Sequence, residues 1–252
     1  MSVSTERLRV AVITPYYHEA LEVLQKCHDS VREQTYPCVH FLVADGCAQA
    51  EVQNWSAERI LLSRPHGDNG NTPRTVGSLS AMNLDFDAIA YLDADNWYYP
   101  AHIESMVMLH RQTGVCVCTA TRNIHRLDGS FMYTDAYESD GHTHVDTSCL
   151  FLTRLAFEIL PLWAMMPKQL GPVCDRVLWQ AILARGFSHA HCPEPTVAFR
   201  TQYQVHYQNL REPAPPRTKT ISESTGAAES WWQSMPADTR LKWQRYFSTR
   251  VF

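Results

Sequence analysis

The chain has 252 residues, of which 45% are hydrophobic and 19% are charged, and its formal net charge is −4. Such a composition is ordinary for a globular protein of one large or two small domains with a sizeable core. The negative charge argues against a general nucleic-acid-binding protein, and no apolar run reaches the length of a membrane span. Residues 1–15 lack the small-residue cleavage site of a signal peptide and predict a leader into a first strand, so we expect a cytoplasmic protein.

Apolar runs and helical periodicity alternate along the first half of the chain. RVAVIT (9–14) predicts a buried strand, and apolar residues at helical spacing over 21–31 predict a helix that ends before Pro37. VHFLVADG and AERILLSR predict the second and third strands, the turn-rich PHGDNGNTPR precedes a short helix over 76–84, and DAIAYLD predicts the fourth strand. This order implies an α/β fold with a mostly parallel sheet and helices on both faces.

Polar residues follow the predicted strands at the edge where such sheets bind ligands. Asp93 and Asp95 flank one alanine directly after the fourth strand, and in an extended chain residues i and i+2 point to the same side. Two carboxylates this close repel each other unless a positive charge lies between them, so the pair suggests a cation. Oxygen ligands suit Mg²⁺ or Mn²⁺. The alternative is that these residues only cap the next helix.

The eight cysteines are scattered without a CxxC pair, which is typical of core residues and not of a disulfide framework or zinc site. Trp97, Tyr98 and Trp179 could stack on the rings of a ligand, although large aromatic residues more often belong to the core. His142, His144 and Asp146 alternate and would share one strand face. A transition-metal site is conceivable there, and a strand that borders a substrate cleft is the preferred interpretation.

Four motifs in order resemble the GT-A fold glycosyltransferases, especially the family-2-like ones. VAVITPYYHEALEVLQKCHDSVREQTYPCVHFLVADG, GNTPR and AIAYLDADNWYYPAHIESMV resemble the nucleotide-sugar-binding half, and GPVCDRVLWQAILARGF resembles the acidic motif that opens an acceptor-side helix. The resemblance implies a GT-A (Rossmann-like) domain whose donor half is residues 1–112 and whose acceptor and catalytic half is residues 113–210. Residues 211–252 would form a flexible linker and a C-terminal helical tail.

The resemblance also implies roles for particular residues. Those expected to bind the nucleotide-sugar are Thr14, Pro15, Tyr16, Asp45, Arg74, Asp93 and Ala94. Those expected at the metal are Asp93, Asp95 and His206. Within the first set, Asp45 would accept from the base, Asp93 would contact the ribose, and Arg74 would face the diphosphate, which its planar donors suit. Each has a plainer alternative: a turn for Asp45-Gly46, a surface arginine for Arg74 and a packed imidazole for His206.

The resemblance implies that Asp175 is the catalytic base, and GPVCDRVLWQ places it in the first turn of an amphipathic helix. The alternative is a favourable helix-start charge. The resemblance thus implies an inverting, metal-dependent transferase that takes a nucleotide-diphosphate sugar and a saccharide or lipid-linked acceptor, in bacterial surface-polysaccharide synthesis. A non-catalytic binding protein is one alternative class. A nucleotidyltransferase is the other, but TPYYHEA lacks the glycine-rich basic loop of that class.

The C-terminal segment differs from the rest in composition. REPAPPRTKTISESTGAAES is rich in Pro, Ser and Thr and predicts a mobile linker, whereas WWQSMPADTRLKWQRYFSTRVF is aromatic and basic and predicts a short helix. That tail would cover the donor site as a lid, dock on a protein, or lie peripherally on the inner membrane face near a lipid-linked acceptor. Docking on its own domain is the preferred interpretation.

Overall fold

The computed structural model describes residues 7–135 and 137–252. Residues 1–6, the start of the expected leader, lie outside the described residues. The strands are β1 (Val10–Tyr16), β2 (Cys38–Ala44), β3 (Glu58–Leu61), β4 (Ala88–Tyr91), β5 (Trp97–Tyr98), β6 (Val117–His125), β7 (Phe131–Asp135), β8 (Leu150–Thr153) and β9 (His189–Arg200). The helices are α1 (Leu21–Arg32), α2 (Asn71–Asn83), α3 (His102–Thr113), α4 (Leu162–Met165), α5 (Cys174–Ala184), α6 (Gln204–Asn209), α7 (Ile221–Ser234) and α8 (Ala237–Phe247).

A single sheet runs through the domain in the order β3-β2-β1-β4-β8-β6-β9-β5, and β7 pairs with β6. The four N-terminal strands are parallel, as β1 pairs with β2 and β4, and β2 with β3. The second half mixes directions: β8 is antiparallel to β4 and β6, while β6 and β9 are parallel. The α/β fold class is confirmed, and the acceptor-side half contributes the antiparallel pairs.

The central strands are buried on both faces, which explains their continuous apolar sequence. All seven residues of β1 and all four of β4 are buried. Helices α1 and α2 pack against this part of the sheet, and Gly77 lies so close to β1 that a Cβ atom there would come within 2.7 Å of the Ile13 side chain. Covering helices of this kind are what parallel sheets require.

Helix α2 begins at Asn71, five residues before the start that the sequence predicts. Gly70 adopts a left-handed φ of 81° directly before it, and Pro73 lies in the first turn, where a missing N–H is tolerated. The motif GNTPR therefore opens a helix instead of forming a loop. This places Arg74 at the helix start beside the ends of β1 and β4.

The expectation of a mobile linker through residue 230 is wrong from residue 221 onward, where α7 begins. A capping box between Thr220 and Glu223 satisfies the start of α7, a local signal that composition alone does not reveal. Helix α7 packs against the 3₁₀ segment Lys168–Val173, and α8 packs against α5. Trp232 and Phe247 are buried against the domain, so the tail docks on its own chain.

The sequence alternatives that assigned aromatic and cysteine residues to the core agree with the structure. Trp97, Tyr98 and Trp179 are buried. Among the cysteines, which are all free thiols, Cys27, Cys118, Cys149 and Cys174 are buried and the other four are partly exposed. Across residues 7–135 and 137–252, no helix is long and apolar enough to cross a membrane.

His28, His40 and His102 are buried among the packed elements. His28 and His40 share a hydrogen bond between their Nδ1 atoms (2.9 Å), and His102 bonds to the Thr196 hydroxyl (2.8 Å). Burial lowers the pKa of His28 and of His40, and it lowers the pKa of His102 to about 3. Since the folded state resists protonation of these rings, their contribution to stability is present above the unfolded pKa of about 6.5 and is lost as pH falls below it.

We expect His102→Asn to make stability less dependent on pH. Between pH 7 and pH 5 the free energy of unfolding of the unmodified protein should fall by about 2 kcal/mol more than that of the variant. The reason is that the His102 imidazole gains a proton on unfolding, and the variant lacks this imidazole. Denaturant unfolding at several pH values measures this difference. His18→Asn, at an exposed histidine, is the matched control. Equal pH slopes for all three proteins would contradict the prediction.

Candidate functional site

A cavity of about 470 Å³ opens at the carboxyl ends of β1, β2 and β4, and we name it the strand-end cavity. Parallel strands bring the residues that follow them to one edge of the sheet, where ligands bind in such folds. Expected site residues in its wall are Pro15, Tyr16, Asp45, Arg74, Asp93, Ala94 and Asp95. Further polar or aromatic residues in the wall are Tyr17, Glu19, Asp68, Phe199, Arg200, Tyr203 and Lys219. The structure thus gathers most of the expected donor and metal residues around one space.

Arg74 and Asp93 form an ion pair in the wall of this cavity. Nη2 of Arg74 lies 2.5 Å from Oδ1 of Asp93, and Nη1 donates to the carbonyl oxygen of Asn69 (2.7 Å). Burial by itself would lower the pKa of Arg74, but the carboxylate of Asp93 raises it above the ordinary value. The guanidinium therefore provides a fixed positive charge in the cavity wall.

Asp95 forms no ion pair with the described residues. Burial, together with the carboxylates of Asp93 and Glu19, raises the pKa of Asp95 to about 7. Carboxylates crowded in this way fit a hard divalent ion, which would relieve their repulsion. No three His, Cys, Asp or Glu side chains among residues 7–135 and 137–252 surround one point. An ion at Asp95 would complete its ligand set with water and substrate oxygens, as Mg²⁺ commonly does.

Asp45 is held by a residue that the sequence analysis missed. Its carboxylate accepts from the ring Nδ1 (2.6 Å) and from the backbone N–H (3.0 Å) of His66. Gly46, with a φ of 80°, lets this segment approach, because a Cβ atom there would lie 2.3 Å from the backbone nitrogen of Pro65. His66 therefore fixes the orientation of Asp45 in the cavity wall. The imidazole within the turn-rich PHGDNG is the only sequence signal for it.

Two expected site residues lie elsewhere. Thr14 is fully buried, and its hydroxyl bonds to Nε2 of His40 (2.8 Å) on the helix-covered side of the sheet. His206 is also buried, with Nδ1 bonded to the Thr201 hydroxyl (2.6 Å) and Nε2 3.4 Å from Oε2 of Glu138. Neither residue lines the strand-end cavity, so the structure does not bring His206 to the aspartate pair. The alternative of a packed imidazole describes it.

A second cavity of about 390 Å³ adjoins the first, and we name it the α5 cavity after the helix that carries Asp175. The two cavities share the residues Asn69, Arg74, Asp93, Phe199, Tyr203 and Lys219. Asp175, the expected base, lines only the α5 cavity. A molecule in one cavity would therefore meet a molecule in the other at the Arg74–Asp93 pair.

Asp175 pairs with His144 across the α5 cavity. Oδ2 of Asp175 lies 2.9 Å from Nε2 of His144, and Oδ1 accepts from the backbone N–H of Arg176 (2.7 Å). Burial would raise the pKa of Asp175, but the imidazole of His144 lowers it below the ordinary value. Conversely, burial would lower the pKa of His144, but Asp175 raises it. The carboxylate is therefore kept ionised although it is partly buried.

Arg122 lines the α5 cavity and forms ion pairs with three carboxylates. It contacts Asp135 (2.9 Å), Glu138 (2.8 Å) and Asp146 (2.7 Å), and its side chain is buried. Burial raises the pKa of Asp146, and a hydrogen bond from His206 followed by the charge of Arg122 lowers that of Glu138 to about 2. Arg122 is thus a structural anchor for acidic residues that the cavity exposes. An arginine within the apolar run VCTATRNIH is the signal that sequence reasoning could have used.

The expectation of a strand face over residues 142–146 is wrong. This stretch is a series of bends held by Asp140, whose carboxylate accepts from the N–H groups of His142 and Thr143 (2.8 Å each). His144 and Asp146 line the α5 cavity, but they bond to different partners, Asp175 and Arg122. Because no metal-binding group of three forms within the described residues, the transition-metal alternative has no support here.

The segment before α7 crosses both cavities. The backbone of Lys219 donates to Gln202 (2.7 Å) and accepts from Gln204 (2.9 Å), which anchors the segment beside the end of β9. Lys219 lines both cavities, and Thr225 of α7 lines the α5 cavity. Within a segment of low-complexity composition, no sequence pattern singles out this lysine.

Comparison with known proteins identifies a matching family. The family described as glycosyl transferase family 2 matches residues 11–159 of the chain. No curated protein matches it in sequence.

Solved structures of S. aureus TarS have a similar fold. The structure of TarS 1-349 in complex with UDP has a TM-score of 0.59 at 10% identity, with 94% of this chain and 78% of that chain covered. The complex of TarS 1-349 with UDP-GlcNAc has a TM-score of 0.61 at 10% identity, with 90% and 67% covered. A longer TarS structure has a TM-score of 0.58 at 9% identity, with 94% and 47% covered. At such identities the similarity shows the fold.

Proposed function

Because the chain belongs to glycosyl transferase family 2, we propose that it moves a sugar from a nucleotide-diphosphate sugar to an acceptor hydroxyl with inversion at the anomeric carbon. The observation that carries this proposal is the meeting of two cavities at Arg74 and Asp93, with Asp175 in the second cavity. An inverting transfer needs the leaving diphosphate and the attacking hydroxyl on opposite sides of the sugar, with a base on the side of the hydroxyl.

The strand-end cavity is proposed to bind the donor. Tyr16 and Asp45 are available for the base, Asp93 for the ribose, and the charge of Arg74 for the diphosphate. Since the similar TarS structures are complexes with UDP and UDP-GlcNAc, uridine nucleotides are the donors to test first. The α5 cavity, whose wall is rich in charged and hydroxyl groups, suits a saccharide or lipid-linked acceptor of surface-polysaccharide synthesis.

In the proposed reaction Asp175 accepts the proton of the acceptor hydroxyl while the oxygen attacks the anomeric carbon. The bond from that carbon to the diphosphate oxygen breaks, and the electron pair leaves with the diphosphate beside Arg74. A divalent ion held by Asp95 and Asp93 would act as a Lewis acid that offsets the charge of the departing diphosphate. The ionised state of Asp175, which His144 maintains, is the state that a base requires.

We expect donor binding to depend on a divalent ion held by Asp95. Calorimetry with UDP should show binding with manganese, and binding at least about tenfold weaker in EDTA or in Asp95→Asn, because the repulsion between carboxylates and diphosphate is then uncompensated. Asp29→Asn, at a partly exposed aspartate that contacts Arg32 and Gln25 and does not line the strand-end cavity, is the control and should bind as the unmodified protein does. Equal affinity under all these conditions would remove the metal from the proposal.

We expect Asp175→Asn to lower turnover strongly without loss of donor binding. Hydrolysis of UDP-GlcNAc with manganese, with water as acceptor, should slow by about 10²-fold or more because the base is missing, while calorimetry gives unchanged UDP affinity. Asp238→Asn is the matched control, since Asp238 also lies in the first turn of a helix, α8. Retained turnover, or a product with the donor's anomeric configuration, would contradict the inverting role of Asp175.

We expect the charge of Lys219 to contribute to turnover from the segment that crosses both cavities. Lys219→Ala should lower turnover about tenfold, and Lys219→Arg should restore most of it, because an ammonium beside the diphosphate is a charge-assisted donor. Lys242→Ala, at an exposed lysine of α8, is the control. If Lys219→Ala and Lys242→Ala have the same rates, the segment closes the site sterically and its charge plays no part.

A further inference from the structure

The imidazole of His144 hydrogen-bonds the side chain of Asp175 and no other group that the structure describes, while the backbone N–H of His144 donates to Asp140 (3.3 Å). Nε2 lies 2.9 Å from Oδ2 of Asp175, whereas the Nδ1 atom is buried without a hydrogen-bond partner. An ionised carboxylate can only accept, so Nε2 carries the proton of this bond. The hydrogen bond to Asp175 is thus the one that orients the imidazole, and the same bond orients the carboxylate.

The loop that carries His144 is fastened to the helix that carries Asp175. The indole Nε1 of Trp179 on α5 donates to the carbonyl of His142 (3.0 Å), and the carboxylate of Asp140 accepts from the N–H of Thr143 (2.8 Å) on the same loop. These bonds hold the imidazole and the carboxylate in one rigid unit. Their distance therefore does not depend on a mobile segment.

Several charged groups face this pair and define its electrostatics. Around His144, besides Asp175, are Arg122 of β6 and the carboxylates of Asp146 and Glu138. Around Asp175, besides His144, are Arg176 of α5, the thiol of Cys174, the phenol of Tyr203 and the carboxylate of Asp146. Within this set, the imidazole is the group that hydrogen-bonds the Asp175 side chain from outside its own helix.

We infer that His144 is a positioning residue for the base: its Nε2–H holds Oδ2 of Asp175 so that the remaining lone pairs of the carboxylate face the acceptor hydroxyl in the α5 cavity. This inference rests on the proposed role of Asp175. A carboxylate that rotates freely about its terminal torsion would present the hydroxyl with many geometries, and proton transfer requires one within hydrogen-bond reach. The bond to His144 selects that geometry.

The charge of the imidazole also controls how well Asp175 accepts a proton. While His144 is an imidazolium, its charge stabilises the ionised carboxylate and makes it a weaker base. When His144 loses its proton, the Nε2–H bond remains and the base becomes stronger. Turnover should consequently rise with pH through the pKa of His144, which Asp175 raises above the ordinary value.

Two substitutions separate the hydrogen bond from the charge. His144→Gln keeps an N–H donor near the position of Nε2 but does not titrate, whereas His144→Leu removes the donor. We expect His144→Leu to lower kcat for UDP-sugar hydrolysis by about 10- to 100-fold with KM and UDP affinity nearly unchanged. We expect His144→Gln to keep kcat within a few fold and to lose the acidic limb of the kcat against pH profile.

The controls use the same loop and the same pair. His142→Gln, at an exposed histidine two residues away, should retain both kcat and the pH profile. In an Asp175→Asn background His144→Leu should cause no further loss, since a residue that acts through Asp175 has nothing left to position. Calorimetry of UDP binding reports whether each variant folds.

Two results would overturn the inference while leaving the proposed function intact: full kcat with an unchanged pH profile in His144→Leu, or an additional loss from His144→Leu in the Asp175→Asn background. An active Asp175→Asn enzyme would instead contradict the proposed base. The two failures are therefore distinguishable. Retention of the acidic limb in His144→Gln would also reject His144 as the group that titrates.

Discussion

The ion pair between Arg74 and Asp93 joins parts of the chain that are far apart in sequence. Arg74 comes from the start of α2, and Asp93 follows β4. The backbone N–H of Asp93 donates to the hydroxyl of Ser148 (3.2 Å), which also accepts from the side-chain amide of Asn96 (3.0 Å). Asn96 accepts in turn from the N–H of Arg200 at the end of β9 (2.9 Å). One connected network thus fixes the boundary between the two cavities.

Pairing with basic side chains explains why several carboxylates can lie close together without unfolding the site. Asp45 pairs with His66, Asp93 with Arg74, Asp146 with Arg122 and Asp175 with His144. Burying an unpaired charge is costly, and each of these pairs offsets that cost locally. Asp95 differs because its nearest strong electrostatic neighbours are other carboxylates, which raise its pKa. Asp95, which forms no ion pair with the described residues, is therefore well suited to a cation that arrives with substrate.

The strand ends were predictable because β1, β2 and β4 are buried on both faces and therefore have continuous apolar sequences. Parallel strands then have their carboxyl ends at the same edge of the sheet. Pro15, Asp45, Asp93 and Asp95 follow from that argument alone. Thr14 does not, because successive side chains of a strand point to opposite faces, and the side chain of Thr14 faces His40. The pairing of His144 with Asp175 and of Arg122 with Asp146 was not predictable, since these contacts depend on a loop path and an antiparallel strand.

For the C-terminal segment, the composition predicted a mobile linker, whereas tertiary contacts order much of it as helix α7. Few residues of 212–230 are large and apolar, yet α7 has a satisfied N-terminus and buries Ala228 and Trp232. Helical order here comes from packing against Lys168–Val173, the segment directly before the helix of Asp175. Any displacement of α7 would therefore disturb the wall of the α5 cavity and the Lys219 side chain together. In this fold the tail is part of the site's geometry, because the cavity that holds the base is closed on one side by residues that follow β9 in the chain.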